Sequence, residues 1–93
     1  MRSRYSAYAR CEERYLLTTW HPSTRPSAIE FDPSLRWHAL EVLACEAGME
    51  GDLDGTVEFR AHFLQGSGGG QMHEVSRFTR RAGRWVYLDG RLA

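Results

Sequence analysis

The chain contains no lysine and no asparagine, and its twelve cations are all arginine. Schiff-base chemistry through a lysine amine is therefore excluded. The arginine bias is read as the mark of a GC-rich bacterial genome rather than of a site. Cysteine is scarce: Cys11 and Cys45 stand too far apart for metal-ligand spacing and form no disulfide framework. A reduced, cytoplasmic protein is expected. No apolar run reaches transmembrane length, and Met1, Arg2, Ser3, Arg4 and Tyr5 lack the apolar region of a signal peptide. Net charge is absent as well, because twelve acidic residues balance the arginines. Nucleic acid and anionic membrane are therefore not favoured partners.

What is present is one domain, residues 1–93, near the lower end of independent folding. A chain of this size buries roughly 60–65% of the surface its unfolded form exposes, enough for one core. The first twenty residues read as two short helices. Tyr5, Tyr8 and Ala9 share one face, and Leu16, Leu17 and Trp20 share another at helical spacing. Between them Cys11 reads as an exposed thiol, and Glu12 and Glu13 suit the start of the second helix. The stretch His21-Pro22-Ser23-Thr24-Arg25-Pro26 is a stiff loop, and Asp32-Pro33 predicts a helical turn ending near Arg36.

From Trp37 the pattern becomes that of a strand apolar on both faces, with Trp37, Ala39, Leu43 and Cys45 on one and Leu40, Val42 and Ala44 on the other. A helix is the alternative for this run. Cys45 is expected to be a small buried hydrophobe. The outer face would need cover from a dimer partner or a neighbouring domain. Residues 47–55 form a turn-rich connection. In the next strand Val57, Phe59, Ala61 and Phe63 point inward, while Glu58, Arg60 and His62 point out. Residues 66–70, Gly-Ser-Gly-Gly-Gly, form a hairpin tip. They are not a phosphate loop, since no helix follows and no Lys-Ser/Thr pair closes it.

Residues 71–90 read as two strands joined at Arg81-Ala82-Gly83, with ionisable groups among apolar positions. Pairing Phe59 opposite Phe78 places Glu74, Ser76 and Phe78 on the inward face with Phe59, Ala61 and Phe63. A two-residue turn at Ala82-Gly83 then adds Trp85, Tyr87 and Asp89. A one-residue slip would instead turn His73, Val75 and Arg77 inward. The layout is α+β, with two or three helices against three or four antiparallel strands.

The stretches MRSRYSAYA, TWHPSTRP, GTVEFRA, HEVSRF and GRWVYLDG occur in the order found in the bacterial YchJ-type family, which the chain closely resembles over nearly its whole length. The resemblance implies a nuclear transport factor 2-like (cystatin-like) cone: short N-terminal helices packed on a curved antiparallel sheet that encloses a cavity. Family members commonly carry cysteine-rich SEC-C zinc motifs outside this domain. No such cysteines occur here, so neither metal nor cofactor is implied. Either the bare domain is the whole protein, or a preceding segment lies outside this sequence. No activity comes with the resemblance, and the fold itself hosts both enzymes and binding modules.

The candidate ligand-binding residues are Tyr5, Trp20, His21, Arg25, Phe59, Glu74, Ser76, Trp85, Tyr87 and Asp89. Glu74, Asp89 and His21 are the catalytic candidates. In a pocket, Glu74 or Asp89 would be a general acid/base, with Tyr87 orienting a polar substrate. The simpler role, which is preferred, has both carboxylates holding the loop through Arg25, His21 or backbone amides. A non-catalytic domain binding a small molecule or a protein therefore ranks first. A small hydrolase, isomerase or dehydratase using Glu74 or Asp89 with His21 or His73 ranks second. A ribosome or nucleic-acid contact through Arg77, Arg80, Arg81 and Arg84 ranks third.

Overall fold

The computed structural model describes residues 1–47 and 51–93. Two short helices, α1 (Arg2–Ala9) and α2 (Glu13–Thr18), precede four strands. These are β1 (Leu35–Ala47), β2 (Asp54–Gln65), β3 (Gly68–Arg81) and β4 (Arg84–Leu92). The four strands pair antiparallel in the order β1-β2-β3-β4, a meander, and Trp20 adds an isolated parallel bridge to Tyr87 of β4. The α+β layout holds, and the strand alternative for the run from Trp37 is the one adopted. Part of the 47–55 connection falls outside the described residues.

The helices are joined at Cys11, which takes a left-handed backbone (φ 55°) and exposes its thiol. The Tyr15 hydroxyl donates to Ser3 Oγ at 2.8 Å and ties α2 back to α1. Leu16, Ala7, Phe59 and Ala61 are fully or almost fully buried and mark where the helices meet the sheet. Burying side chains such as Phe59 and Leu16 contributes about 2–3 kcal/mol each, against the ordering cost of a short chain.

The Asp32-Pro33 helix does not form. Asp32 Oδ1 instead accepts from the Ser34 amide at 2.9 Å and the Ser34 hydroxyl at 2.7 Å, and β1 starts at Leu35. An aspartate that binds the backbone two residues on builds a turn as readily as it caps a helix. Within β1 the expected face assignment also fails. Bulges leave His38 and Leu43 without partners, so that Trp37, Leu40, Val42 and Cys45 stand opposite Phe63, Ala61, Phe59 and Val57. Each extra residue flips the alternation. Cys45 is exposed rather than buried, and Leu43 and Ala44 lie open to solvent.

The β2 pattern holds: Phe59 and Ala61 are buried, and His62 turns outward to Glu41, with Nε2 and Oε1 2.6 Å apart. The glycine run is mostly strand, with the turn at Gly66 and Ser67. The Phe63 ring lies over Gly70, where a Cβ would come within 2.8 Å of it, and packs edge-on against Trp37 at 5.6 Å. The β3–β4 turn is the two-residue kind, with φ of 52° at Ala82 and 79° at Gly83. Paired positive φ values match the twist of antiparallel strands.

The β2–β3 register differs from the expected one by four residues: Phe59 opposes Glu74, and Phe78 opposes Gly55. An even shift preserves the face, so Glu74 and Ser76 still share the side of Phe59 and Ala61. Along β4, Trp85 opposes Arg80 and Tyr87 opposes Phe78, which keeps both on that side. Leu88 is then bulged out, so Asp89 opposes Arg77 on the outer face and Gly90 opposes Ser76 on the inner one. Among the described residues no helix is long and apolar enough to cross a membrane.

Candidate functional site

The inner face of the sheet and α1 enclose a cavity of about 220 Å3. Phe59, Ala61, Met72 and Glu74 form its floor, and Trp37 closes one side. Met1, Arg4, Tyr5 and Tyr8 cover it from α1, with Trp20 and Tyr87 at the other side.

Trp20 is held in place by main-chain pairing to the edge of β4. The Tyr87 amide donates to the Thr19 carbonyl at 2.8 Å, and the His21 amide to the Tyr87 carbonyl at 2.7 Å. The Thr24 hydroxyl donates to the Leu88 carbonyl at 2.5 Å and accepts from Trp20 Nε1 at 3.2 Å. These bonds engage β4 at its bulge. Arg25 caps the Trp20 carbonyl through Nε at 3.2 Å and Nη2 at 2.9 Å. His21 is bonded to the amide and hydroxyl of Ser23. Neither Arg25 nor His21 reaches Glu74 or Asp89, so the loop is anchored by the His21 amide and the Thr24 hydroxyl on β4 carbonyls and by Arg25 on Trp20, not by the carboxylates.

Arg4 is the residue at the centre. Only 6% of it is exposed, and its guanidinium lies 3.7 Å from the Tyr87 ring centroid, 4.4 Å from Trp20 and 5.2 Å from Tyr8. The Tyr87 and Trp20 rings meet edge to face at 4.9 Å. Nη2 donates to the Tyr8 hydroxyl at 3.3 Å, while Nη1 is buried with no hydrogen-bond acceptor and faces aromatic surface. Contacts of this kind are worth about 0.5–2 kcal/mol each, more when water is excluded. Burial pushes Arg4 below its ordinary pKa, against the upward pull of Tyr8, Tyr87 and Glu74.

Glu74 lies on the same wall. Its Oε2 accepts from the hydroxyl of the fully buried Ser76 at 2.5 Å. Room for this carboxylate depends on Gly90, because a Cβ there would lie 2.5 Å from Glu74 Oε2 and 2.9 Å from the Tyr87 hydroxyl. Burial first, and then the charge of Glu74, push the Tyr87 phenol up to about 12. The free phenol ionises near 10, so the unfolded chain loses its proton first. Stability from this group is intact below pH 10 and is lost as pH rises towards 12. Discounted for the part of Tyr87 that is open to solvent, the loss is about 1 kcal/mol. Denaturant melts at pH 9 and at about pH 11.5 should show this difference, and Tyr87→Phe should shrink it.

The other candidates are dispersed. Asp89 forms a two-pronged pair with Arg77 on the outer face, with Arg77 Nε 2.6 Å from Oδ1. This pairing holds the Asp89 carboxyl below its usual range. His73 also faces out, with its Nε2 2.6 Å from Glu58 Oε2. Trp85 lies beyond the cavity, under the Arg80 guanidinium at 4.6 Å. The arginines of the last hairpin are thus split: Arg77 pairs on the outer face, Arg80 stacks on the inner side, and Arg81 and Arg84 flank the turn. Tyr5, Trp20, Phe59, Glu74, Ser76 and Tyr87 are the candidates brought together at or beside the cavity. Arg4, Trp37 and Met72 were not foreseen. The i, i+4 spacing of Arg4 and Tyr8 is the one sequence signal that could have found Arg4. Among the described residues, no group of three or more His, Cys, Asp or Glu side chains could hold a metal ion.

The family model described as "YchJ, middle NTF2-like domain" matches residues 1–90. The chain belongs to the YchJ family. A UPF0225 protein of Chromobacterium violaceum is 54% identical over 96 residues, a match covering 100% of this chain and 71% of that protein. A UPF0225 protein of Streptomyces avermitilis is 51% identical over 90 residues, covering 97% of this chain and 61% of that one. The solution structure of a SEC-C motif containing protein from Rhodopseudomonas palustris has a TM-score of 0.83 at 34% identity. It covers 100% of this chain and 75% of its own. These YchJ-type relatives carry no established activity in their descriptions.

Proposed function

We propose that this YchJ-type domain is a non-catalytic binding module whose cavity holds a small molecule, with the sheet wrapping the helices as a cone. The observation that carries the reading is the cavity itself. Glu74 and Arg4 share it without a direct ion pair, inside an otherwise aromatic and aliphatic lining. Its volume, about 220 Å3, lies below the roughly 300–1,000 Å3 of sites for drug-sized ligands. A compact ligand is the fit. The acid/base alternative keeps Glu74 but has Asp89, His21 and His73 directed elsewhere. Glu74 and the phenols of Tyr5, Tyr8 and Tyr87 are then the proton-carrying groups left among the lining residues, with no histidine and no second carboxylate beside them.

Ala61, buried in the floor, provides the test. A panel of small aromatic and heteroaromatic fragments, followed by ligand-observed NMR, should give hits on the parent protein. Ala61→Leu fills the floor at a cost of about 1–3 kcal/mol and should lose those hits while keeping its circular dichroism. Asp89→Asn, on the opposite face, should keep them. Hits that persist in Ala61→Leu would place binding elsewhere and end the proposal.

A further inference from the structure

Resting on the cavity reading above, we infer that the ligand is a neutral, planar molecule that donates a hydrogen bond to Glu74, such as an amide or lactam ring, and not an anion or a cation. Two charges stand in the wall, Arg4 and Glu74. Arg4 lies beneath the rings of Tyr8, Trp20 and Tyr87, and its Nη1 is sealed from solvent and has no hydrogen-bond acceptor among the described residues. Arg4 therefore supplies positive potential to the cavity, while its Nη1 offers a ligand no open hydrogen-bonding edge. Glu74 is different. It is only part-buried, and among the described residues its side chain has one hydrogen bond, which Oε2 accepts from Ser76. The remaining carboxylate lone pairs are the negatively charged feature among the lining residues, beside the phenols of Tyr5, Tyr8 and Tyr87.

An anion entering this space would meet Glu74 head-on and could not reach the face of Arg4 for compensation. A cation would find Glu74 but would also sit in the field of a guanidinium that cannot move away from its three rings. In a small, mostly apolar enclosure such like-charge encounters are poorly screened. A neutral N–H or O–H donor satisfies Glu74 and leaves the balance of the wall intact. The flanking indole and phenol rings of Trp20, Trp37, Tyr5 and Tyr8 favour a flat partner.

Benzamide, benzoate and benzamidine share one shape and differ in charge, so they separate the outcomes. In a 15N-labelled sample of the chain, titration should move the Trp20 and Trp37 indole N–H signals and the Glu74 amide with benzamide. Benzoate and benzamidine should bind at least about tenfold more weakly. Glu74→Gln should raise benzoate above benzamidine, and Arg4→Gln should raise benzamidine above benzoate. If Arg4→Gln does not fold, the Glu74→Gln arm still decides. Tighter binding of either ion than of benzamide to the parent chain overturns the ligand class while leaving a binding cavity. No shift of the cavity signals with any of the probes at millimolar concentration overturns both.

Discussion

Gly90→Val should destabilise the domain by about 3 kcal/mol and abolish binding in the cavity, with Gly90→Ala intermediate. The inner face of β4 comes so close to the glutamate here that a Cβ would lie 2.5 Å from Glu74 Oε2, 2.7 Å from its Cδ and 2.9 Å from the Tyr87 hydroxyl. A flexible carboxylate could normally swing aside. This one is held by Ser76, which has no exposed surface, and the Tyr87 ring is fixed between Arg4 and Trp20. The added methyl groups must therefore displace the strand or unseat the carboxylate. Urea unfolding of the parent, Gly90→Ala and Gly90→Val should rank them in that order. A valine variant as stable as the parent would show that Glu74 is free to leave the wall, and the site would lose its accessible acceptor.

Gly90 also shows where sequence reasoning stops. The strands, their order of appearance and the inward run Val57, Phe59, Ala61 and Phe63 are legible, because period-2 alternation survives any even error in register. Phe59 opposes Glu74 rather than Phe78, a shift of four residues, and Glu74 and Ser76 therefore keep the inner face. Asp89 did not, because Leu88 is an extra residue in the ladder. Nothing in the local composition announces that bulge. It coincides with tertiary contacts, the Thr24 hydroxyl on the Leu88 carbonyl and residues 19–21 along the edge of β4. The bulges at His38 and Leu43 likewise carry Leu40 and Val42 to the inner face, whereas Cys45 keeps the face of Trp37 and is exposed there.

The loop at residues 21–26 gives a second lesson of the same kind. Its hydroxyls point to an anchored segment, as the Thr24 bond to Leu88 shows, and an arginine near two carboxylates in a small protein suggests an ion pair. The main chain was the stronger competitor. Trp20 presents a carbonyl that Arg25 can reach with two donors from five residues away, with no long-range pairing needed. Local side-chain-to-backbone bonds of this sort form at small entropic cost, so they take precedence over distant partners.

Arg4→Ala carries the other large expected effect, a loss of about 3 kcal/mol. Arg4→Lys should recover little of it, since an ammonium can neither lie flat on Tyr87 and Trp20 nor keep the planar donor fork near Tyr8. The ring contacts and the buried aliphatic stem are both lost, offset in part by relief of a desolvated charge. A plain loss of packing would lower stability and nothing else. An electrostatic role makes a separate demand on Tyr87: Arg4 is the group that pulls its pKa down, against burial and Glu74. In the folded alanine variant, ultraviolet titration should therefore find the Tyr87 phenol ionising at still higher pH than in the parent. An unchanged or lower titration point would mean that the guanidinium contributes volume but no field, and the charge balance assigned to the cavity would fail with it.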